Sequence, residues 1–255
     1  MKGRNVVAGI LIVLSLCAVT VWFVFTSGII GSQQPTTQLT VAAERGDASQ
    51  VRKLIASGVD LNERDKSGYT ALVWAARNGS TEVAKTLIEA HADMNARDCA
   101  ANGWTPLIHA IHKNNNEMAR LLIERGADVN AKAGKCTEKL VEEGASALLY
   151  AAGEDNTEIV RALLAKGADP YAEYDSENAL SRAVAGALDF SRPDDKQCPT
   201  ETVKVLLESA PDLSTKRTVW DRKSVFVARH KGCTEVVSLL EQRKHALAAK
   251  GGENN

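Results

Sequence analysis

His109 and His112 stand three residues apart, a spacing at which one helix face can offer two imidazoles to a metal ion. No third ligand is identifiable beside them, so they read as part of an interaction surface, and neither a metal nor another cofactor is expected. Four cysteines, Cys99, Cys136, Cys198 and Cys233, follow the apolar N-terminus, and a fifth, Cys17, lies inside it as a small hydrophobe. An even count suits disulfides in an oxidising compartment and free thiols in a reducing one. Glu138, Glu142 and Glu143 lie beside Lys135 and Lys139 at the spacing of a solvated short helix, not of a general acid–base pair. The sequence has no HExxH, GxSxG, phosphate loop or CxxC. Catalysis needs groups that converge, and none is visible, so the chain does not read as an enzyme.

Composition says what kind of scaffold must hold such residues. The chain has 255 residues, 44% hydrophobic and 25% charged, with a formal net charge of −1. That balance gives no electrostatic reason to expect a nucleic acid partner. Aromatics make up only 5%, so small aliphatic side chains must do the packing, which suits closely stacked helices. Val6 to Phe25 carries no charge, and a helix of that length spans about 30 Å, the thickness of a bilayer core. Lys2 and Arg4 precede it and no Lys or Arg comes after it until Arg45. The positive-inside rule then leaves residues 1–5 in the cytoplasm, makes residues 6–26 a signal-anchor and exports the chain from residue 27 onward. The expected location is a bacterial inner membrane, crossed once, with residues 27–38 as a polar linker and the C-terminal domain in the periplasm. The alternative is an exported soluble protein after signal cleavage near Thr26-Ser27-Gly28, but the length of the apolar run favours the anchor.

Beyond the linker the chain repeats. GWTPLIHAIHKNNNEMARLLIERGADVN, from Gly103 to Asn130, reads as two helices and then a turn, with Leu107, Ala110 and Ile111 on one face and Met118, Leu121 and Leu122 on the other helix. GYTALVWAARNGSTEVAKTLIEAHADMN and GASALLYAAGEDNTEIVRALLAKGADP are further copies. The aspartates after successive copies, Asp60, Asp93, Asp128, Asp169 and Asp212, are 33, 35, 41 and 43 residues apart. Thr70, Thr105, Ser146 and Asn178 hold the N-cap position of each first helix. Thr81, Asn116, Thr157, Thr200 and Thr234, each with Glu as the next residue, are expected to cap the second helices. His91 and Ala210 stand where Gly58, Gly126 and Gly167 favour a left-handed turn, so two weakened turns are expected. Longer loops are inserted at 131–144 and 186–200.

These copies resemble the ankyrin repeat family over about Leu39 to Glu241. The resemblance implies an all-α solenoid of about five to six helix–turn–helix repeats with hairpin loops, placed here at residues 39–243. Leu39 to Asn62 and Val219 to Glu241 are its capping copies, and residues 244–255 a flexible tail. It also implies a protein partner, bound on the concave surface and the inserted loops. Carried over by position, that surface presents Lys66, Ser67, Tyr69, Arg77 and Asn78 in one repeat, Trp104, His112 and Lys113 in the next, and Ala145, Gly153 and Glu154 in a third. Trp74, His109, Tyr150 and Arg182 share one helical position in four successive repeats. They fit either a ladder facing the groove or a half-buried seam between repeats, and the seam is the better fit.

Placed on repeats, the cysteines fall in neighbouring loops: Cys99 with Cys136 in adjacent hairpins, Cys198 with Cys233 before adjacent second helices. Pairing of neighbours is expected, provided the loops lean together. The function that these readings imply is non-enzymatic capture of another protein outside the cytoplasm, as an immunity protein neutralises a secreted toxin. The alternative is a periplasmic helper of a partner enzyme, for example in oxidative-stress defence.

Overall fold

Every first helix from repeat 2 to repeat 5 opens on a short polar side chain that accepts a backbone N–H. Thr70 accepts from Val73 and Thr105 from Ile108, both at 3.3 Å, Ser146 from Leu149 at 3.4 Å, and Asn178 from Ser181 at 3.0 Å in a capping box. The chain is seen here as a computed structural model that describes residues 35–99, 103–134, 144–186, 198–211, 213 and 219–252. Among the described residues twelve helices form six helix–turn–helix repeats. Repeat 1 pairs α1 (Pro35–Glu44) with α2 (Ala48–Ala56), and repeat 2 pairs α3 (Ala71–Asn78) with α4 (Thr81–Glu89). Repeat 3 pairs α5 (Pro106–His112) with α6 (Asn116–Glu124), and repeat 4 pairs α7 (Ala147–Gly153) with α8 (Thr157–Ala165). Repeat 5 pairs α9 (Ala179–Ala185) with α10 (Thr200–Ser209), and repeat 6 pairs α11 (Val219–Lys231) with α12 (Thr234–Gly252).

First helices stack on first helices and second helices on second helices, which gives a two-layered solenoid. An alanine recurs at one position of every first helix: Ala42, Ala75, Ala110, Ala151, Ala183 and Ala228, all buried. So small a side chain lets neighbouring helices approach closely. Leu72, Leu107 and Leu148 fill the space beside it, each worth roughly 1.5–3 kcal/mol of burial. The hairpins are tied by a relay of side chains. Asn62 Oδ1 accepts the Asp93 N–H at 2.8 Å, and Asn95 and Asn130 accept the Asp128 and Asp169 N–H groups at 2.9 Å. Tyr171 takes the next place in that series, where no such amide is available.

Some expectations need adjusting. The first helix starts at Pro35, inside the segment read as linker, and α12 runs on to Gly252, past residue 243. The second helices begin at Thr81, Asn116, Thr157, Thr200 and Thr234, so the caps stand one residue earlier. Of these, Asn156 accepts from Ile159, whereas Ser80, Asn115 and Pro199 make no side-chain cap. The glutamates do lie in the first turns as expected. His91 adopts the left-handed backbone at φ 68°, but Ala210 avoids it at φ −136°. The apolar residues 6–26 lie outside the described residues. Among the described residues, no helix is long and apolar enough to cross a membrane.

Candidate functional site

The hairpins lie along the first helices, and in repeats 2 and 3 an aspartate fastens one to the other. Asp65 receives the backbone N–H groups of Ser67 and Tyr69 on Oδ1, at 2.8 and 3.0 Å, and the Trp74 indole N–H on Oδ2 at 2.6 Å. Asp98 occupies the same place one repeat on. It accepts the Gly103 N–H on Oδ1 at 3.1 Å, and on Oδ2 the Trp104 N–H at 3.0 Å and His109 Nε2 at 2.6 Å. Trp74 and His109 are thus alternative ring donors for one acceptor slot. The Asp98 and His109 side chains are each only 2% exposed.

Burial alone would push the Asp98 carboxyl up. The His109 hydrogen bond and charge, with the Trp104 and Gly103 amides, outweigh it and hold Asp98 below its ordinary value. An ionised Asp98 requires the hydrogen on His109 Nε2. His109 Nδ1 is buried and has no hydrogen-bond partner among the described residues.

The acid is gone from the next two repeats, where Ala133 and Tyr174 hold its place. The ring position is occupied by Tyr150 and Arg182, whose contacts lie elsewhere, and among the described residues the buried Arg182 Nε has no hydrogen-bond partner. Burial pushes the Tyr150 hydroxyl up, and the neighbouring Trp104 indole partly offsets this. Arg182 forms an ion pair with Glu177, both side chains being buried. Ring contacts make the seam continuous. Tyr69 lies 5.0 Å from Trp74 and 5.7 Å from His109, and Trp104 lies 5.2 Å from His109 and 5.3 Å from Tyr150, centroid to centroid. Trp74, His109 and Tyr150 therefore belong to a seam and not to an open ladder, and Arg182 is buried beside Glu177.

The sequence candidates divide about this seam. Tyr69 and Trp104 are half-buried parts of it, so neither is a free-standing anchor. Arg77 lies over the Tyr69 and Trp74 rings at 5.7 and 5.9 Å and donates to the Tyr69 hydroxyl at 3.3 Å. His112 packs on Trp104 at 4.7 Å, and His109 packs on the same ring while its Nε2 is held by Asp98. Lys66, Ser67 and Lys113 are exposed, and Asn78 donates to the Glu44 carbonyl at 2.8 Å, bridging repeats 1 and 2. Glu154 is half-buried, while Ala145 and Gly153 are buried and offer no surface. Asp65, Asp98 and Glu177 are not among the sequence candidates. The aspartates announce themselves only as the third residue after Asn62 and Asn95, a spacing that the next two copies break.

The loops are closed covalently. Cys198 and Cys233 form a disulfide with Cα atoms 5.4 Å apart, joining repeat 5 to repeat 6 as expected. Cys99 is also disulfide-bonded, to a partner outside the described residues. Cys136 and the acidic cluster at 138–143 lie outside them too. Gly103 and Gly134 meet backbone to backbone at 3.1 Å, and a Cβ on Gly103 would come 1.6 Å from the Gly134 carbonyl oxygen. The hairpins therefore pack without side chains between them at this point.

Residues 39–133 match the family model described as ankyrin repeats (3 copies), and residues 143–174 match the ankyrin repeat model. The bovine mitochondrial disaggregase is 34% identical over 91 residues, 34% of this chain and 13% of that protein. The palmitoyltransferase akr1 of Schizosaccharomyces pombe is 44% identical over 59 residues, 23% of this chain and 9% of that protein. Human ankyrin repeat domain-containing protein 39 is 35% identical over 77 residues, 28% of this chain and 42% of that protein. The chain thus spans less than half the length of each of these relatives.

Proposed function

Because this chain belongs to the ankyrin repeat family, a family of protein-interaction modules, we propose that it is a non-enzymatic binder that captures one protein on the face made by its hairpins and first helices. The observation that carries this reading is the division of polar groups about the seam. The buried acid–imidazole pair, Asp98 with His109, is sealed at 2% exposure inside a structural lock. Outside the lock, Lys66, Ser67 and Lys113 project from a surface that the lock holds rigid. Rigid presentation lowers the ordering cost of association.

The binder is tethered to a membrane by residues 6–26, with its repeats on the exported, periplasmic side. The charge-free run from Val6 to Phe25 and the lysine–arginine asymmetry around it support this, and so does the Cys198–Cys233 disulfide, a bond that persists in oxidising compartments. An immunity-like role, neutralising a secreted toxin, is the reading that fits a tethered binder with no chemistry of its own. The test is crosslinking in membranes from photoreactive residues placed at 66 and 113, with mass spectrometry of the products. A delivered toxin as the captured protein supports the immunity reading. An endogenous enzyme moves the chain to the helper role, and crosslinks formed only from the second helices overturn the binding face.

A further inference from the structure

The two halves of the proposed face differ in charge, and the difference runs through equivalent positions. Where repeat 2 carries Arg77, repeats 3, 4 and 5 carry His112, Gly153 and Ala185. The next position holds Asn78, Lys113, Glu154 and Gly186. Hairpin tips go the same way: Lys66 is exposed on repeat 2, whereas Glu173 and Asp175 are exposed on repeat 5. The acids in the hairpins of repeats 2 and 3 do not cancel these cations. Asp98 is buried and bonded to His109, and Asp65 is committed to Trp74 and two backbone amides. Exposed Glu63 and Glu44 are offset by exposed neighbours Arg64 and Arg45. Arg64 also donates to the Gly68 and Arg97 carbonyls, which bridges the hairpins of repeats 2 and 3.

Resting on the binding reading above, we infer that repeats 2 and 3 seat a partner segment rich in carboxylates and aromatic rings, which Lys66, Arg77 and Lys113 hold by charge over the Tyr69–Trp104 seam. Basic residues beside half-buried rings match such a segment in potential. The acidic hairpin of repeat 5 repels the same segment, so it fixes the segment's position along the solenoid as well as its affinity. Repulsion of that kind is how an interface excludes alternative registers. The same acids oppose a continuous polyanion laid along the face, so a polypeptide fits it better than a nucleic acid strand does. Attraction between exposed charges falls off over about 8 Å at physiological salt, so binding should be strongly salt-dependent.

The experiment uses the full chain in a nonionic detergent and fluorescence anisotropy with four labelled probes: an alternating Glu–Tyr peptide, its Gln–Tyr and Lys–Tyr counterparts, and oligo-thymidine. The Glu–Tyr peptide should bind about ten-fold more tightly than the Gln–Tyr peptide, and the Lys–Tyr peptide and DNA more weakly still. The double variant Lys66→Glu/Lys113→Glu alters two exposed side chains and should lose about that ten-fold. Lys53→Glu/Lys85→Glu makes the same charge change on the second helices and should leave the affinity within about two-fold. Equal binding of Gln–Tyr or Lys–Tyr, equal binding of DNA, or equal effects of the two double variants would overturn the inference. The two readings fail separately. Crosslinking that still places a protein partner on residues 66 and 113 while the Glu–Tyr peptide gains nothing over Gln–Tyr leaves the face standing and removes its charge preference.

Discussion

Repeats 2 and 3 and repeats 4 and 5 solve one problem in two ways. In the first pair, a ring N–H at the fourth position after the N-cap meets an aspartate in its own hairpin: Trp74 with Asp65, His109 with Asp98. In the second pair the aspartate's place is taken by Ala133 and Tyr174, and Tyr150 packs on Trp104 while Arg182 pairs with Glu177. Most buried polar groups find a partner, and here the partner changes from copy to copy, while His109 Nδ1 and Arg182 Nε go without a hydrogen bond among the described residues. The seam is therefore structural throughout, and binding falls to the residues beside it.

The comparison can be broken first at its strongest point. Asp98→Asn leaves a buried carboxylate site unable to serve two amides and an imidazole at once, and should cost about 3–5 kcal/mol in denaturant unfolding. Asp65→Asn, at a half-buried site with a tryptophan donor, should cost only about 1 kcal/mol. Equal losses would remove the distinction between the two locks.

The next largest effect lies at the far end of the molecule. Cys198→Ser/Cys233→Ser opens a loop of 35 residues, and the chain-entropy estimate for such a loop is about 2–4 kcal/mol. Hydrogen exchange should show that loss in α11 and α12 while α3 to α6 stay protected. Uniform deprotection would mean that the solenoid unfolds as one unit.

Acid titration sharpens the first contrast. Because Asp98 is held below its ordinary value of 3.8 in the folded chain, its stabilisation is present above that value and disappears as pH falls through the lower folded one. Stability of the unmodified protein should drop in that window, and the contribution should vanish in Asp98→Asn. A parallel drop in the variant would assign the acid sensitivity to other carboxylates.

The smallest effect concerns a turn. His91 takes the left-handed backbone that Gly58, Gly126 and Gly167 adopt elsewhere, so His91→Gly should raise stability by about 1 kcal/mol. Ala210→Gly should gain nothing comparable, since Ala210 avoids that conformation. A gain at 210 equal to that at 91 would contradict this.

The range of each interaction decides how far it is legible in the sequence. The caps at Thr70, Thr105, Ser146 and Asn178 act over three residues, so their spacing alone announces them. The Cys198–Cys233 bond is legible because both cysteines keep nearly the same offset from their second helices. The caps of those helices read one residue late, since Thr81 and its equivalents also favour a first turn. Asp98 escapes recognition because its role depends on His109, eleven residues on and across a loop, and a residue type does not disclose its partner. The same limit hides Glu177, whose value lies in Arg182. Tyr69 and Trp104 read in the sequence as residues of the concave surface; the structure half-buries them in the seam, because each meets a ring of its own first helix and one of the next.

The central claim is that the seam holds the fold while the residues outside it hold the partner. Melting temperature and crosslinking yield in membranes, measured together on Lys66→Glu/Lys113→Glu, test it most directly. The account expects the protein to melt where the unmodified chain does while capture of the partner is lost. Capture that survives the charge reversal, or that falls only in step with stability, would contradict it.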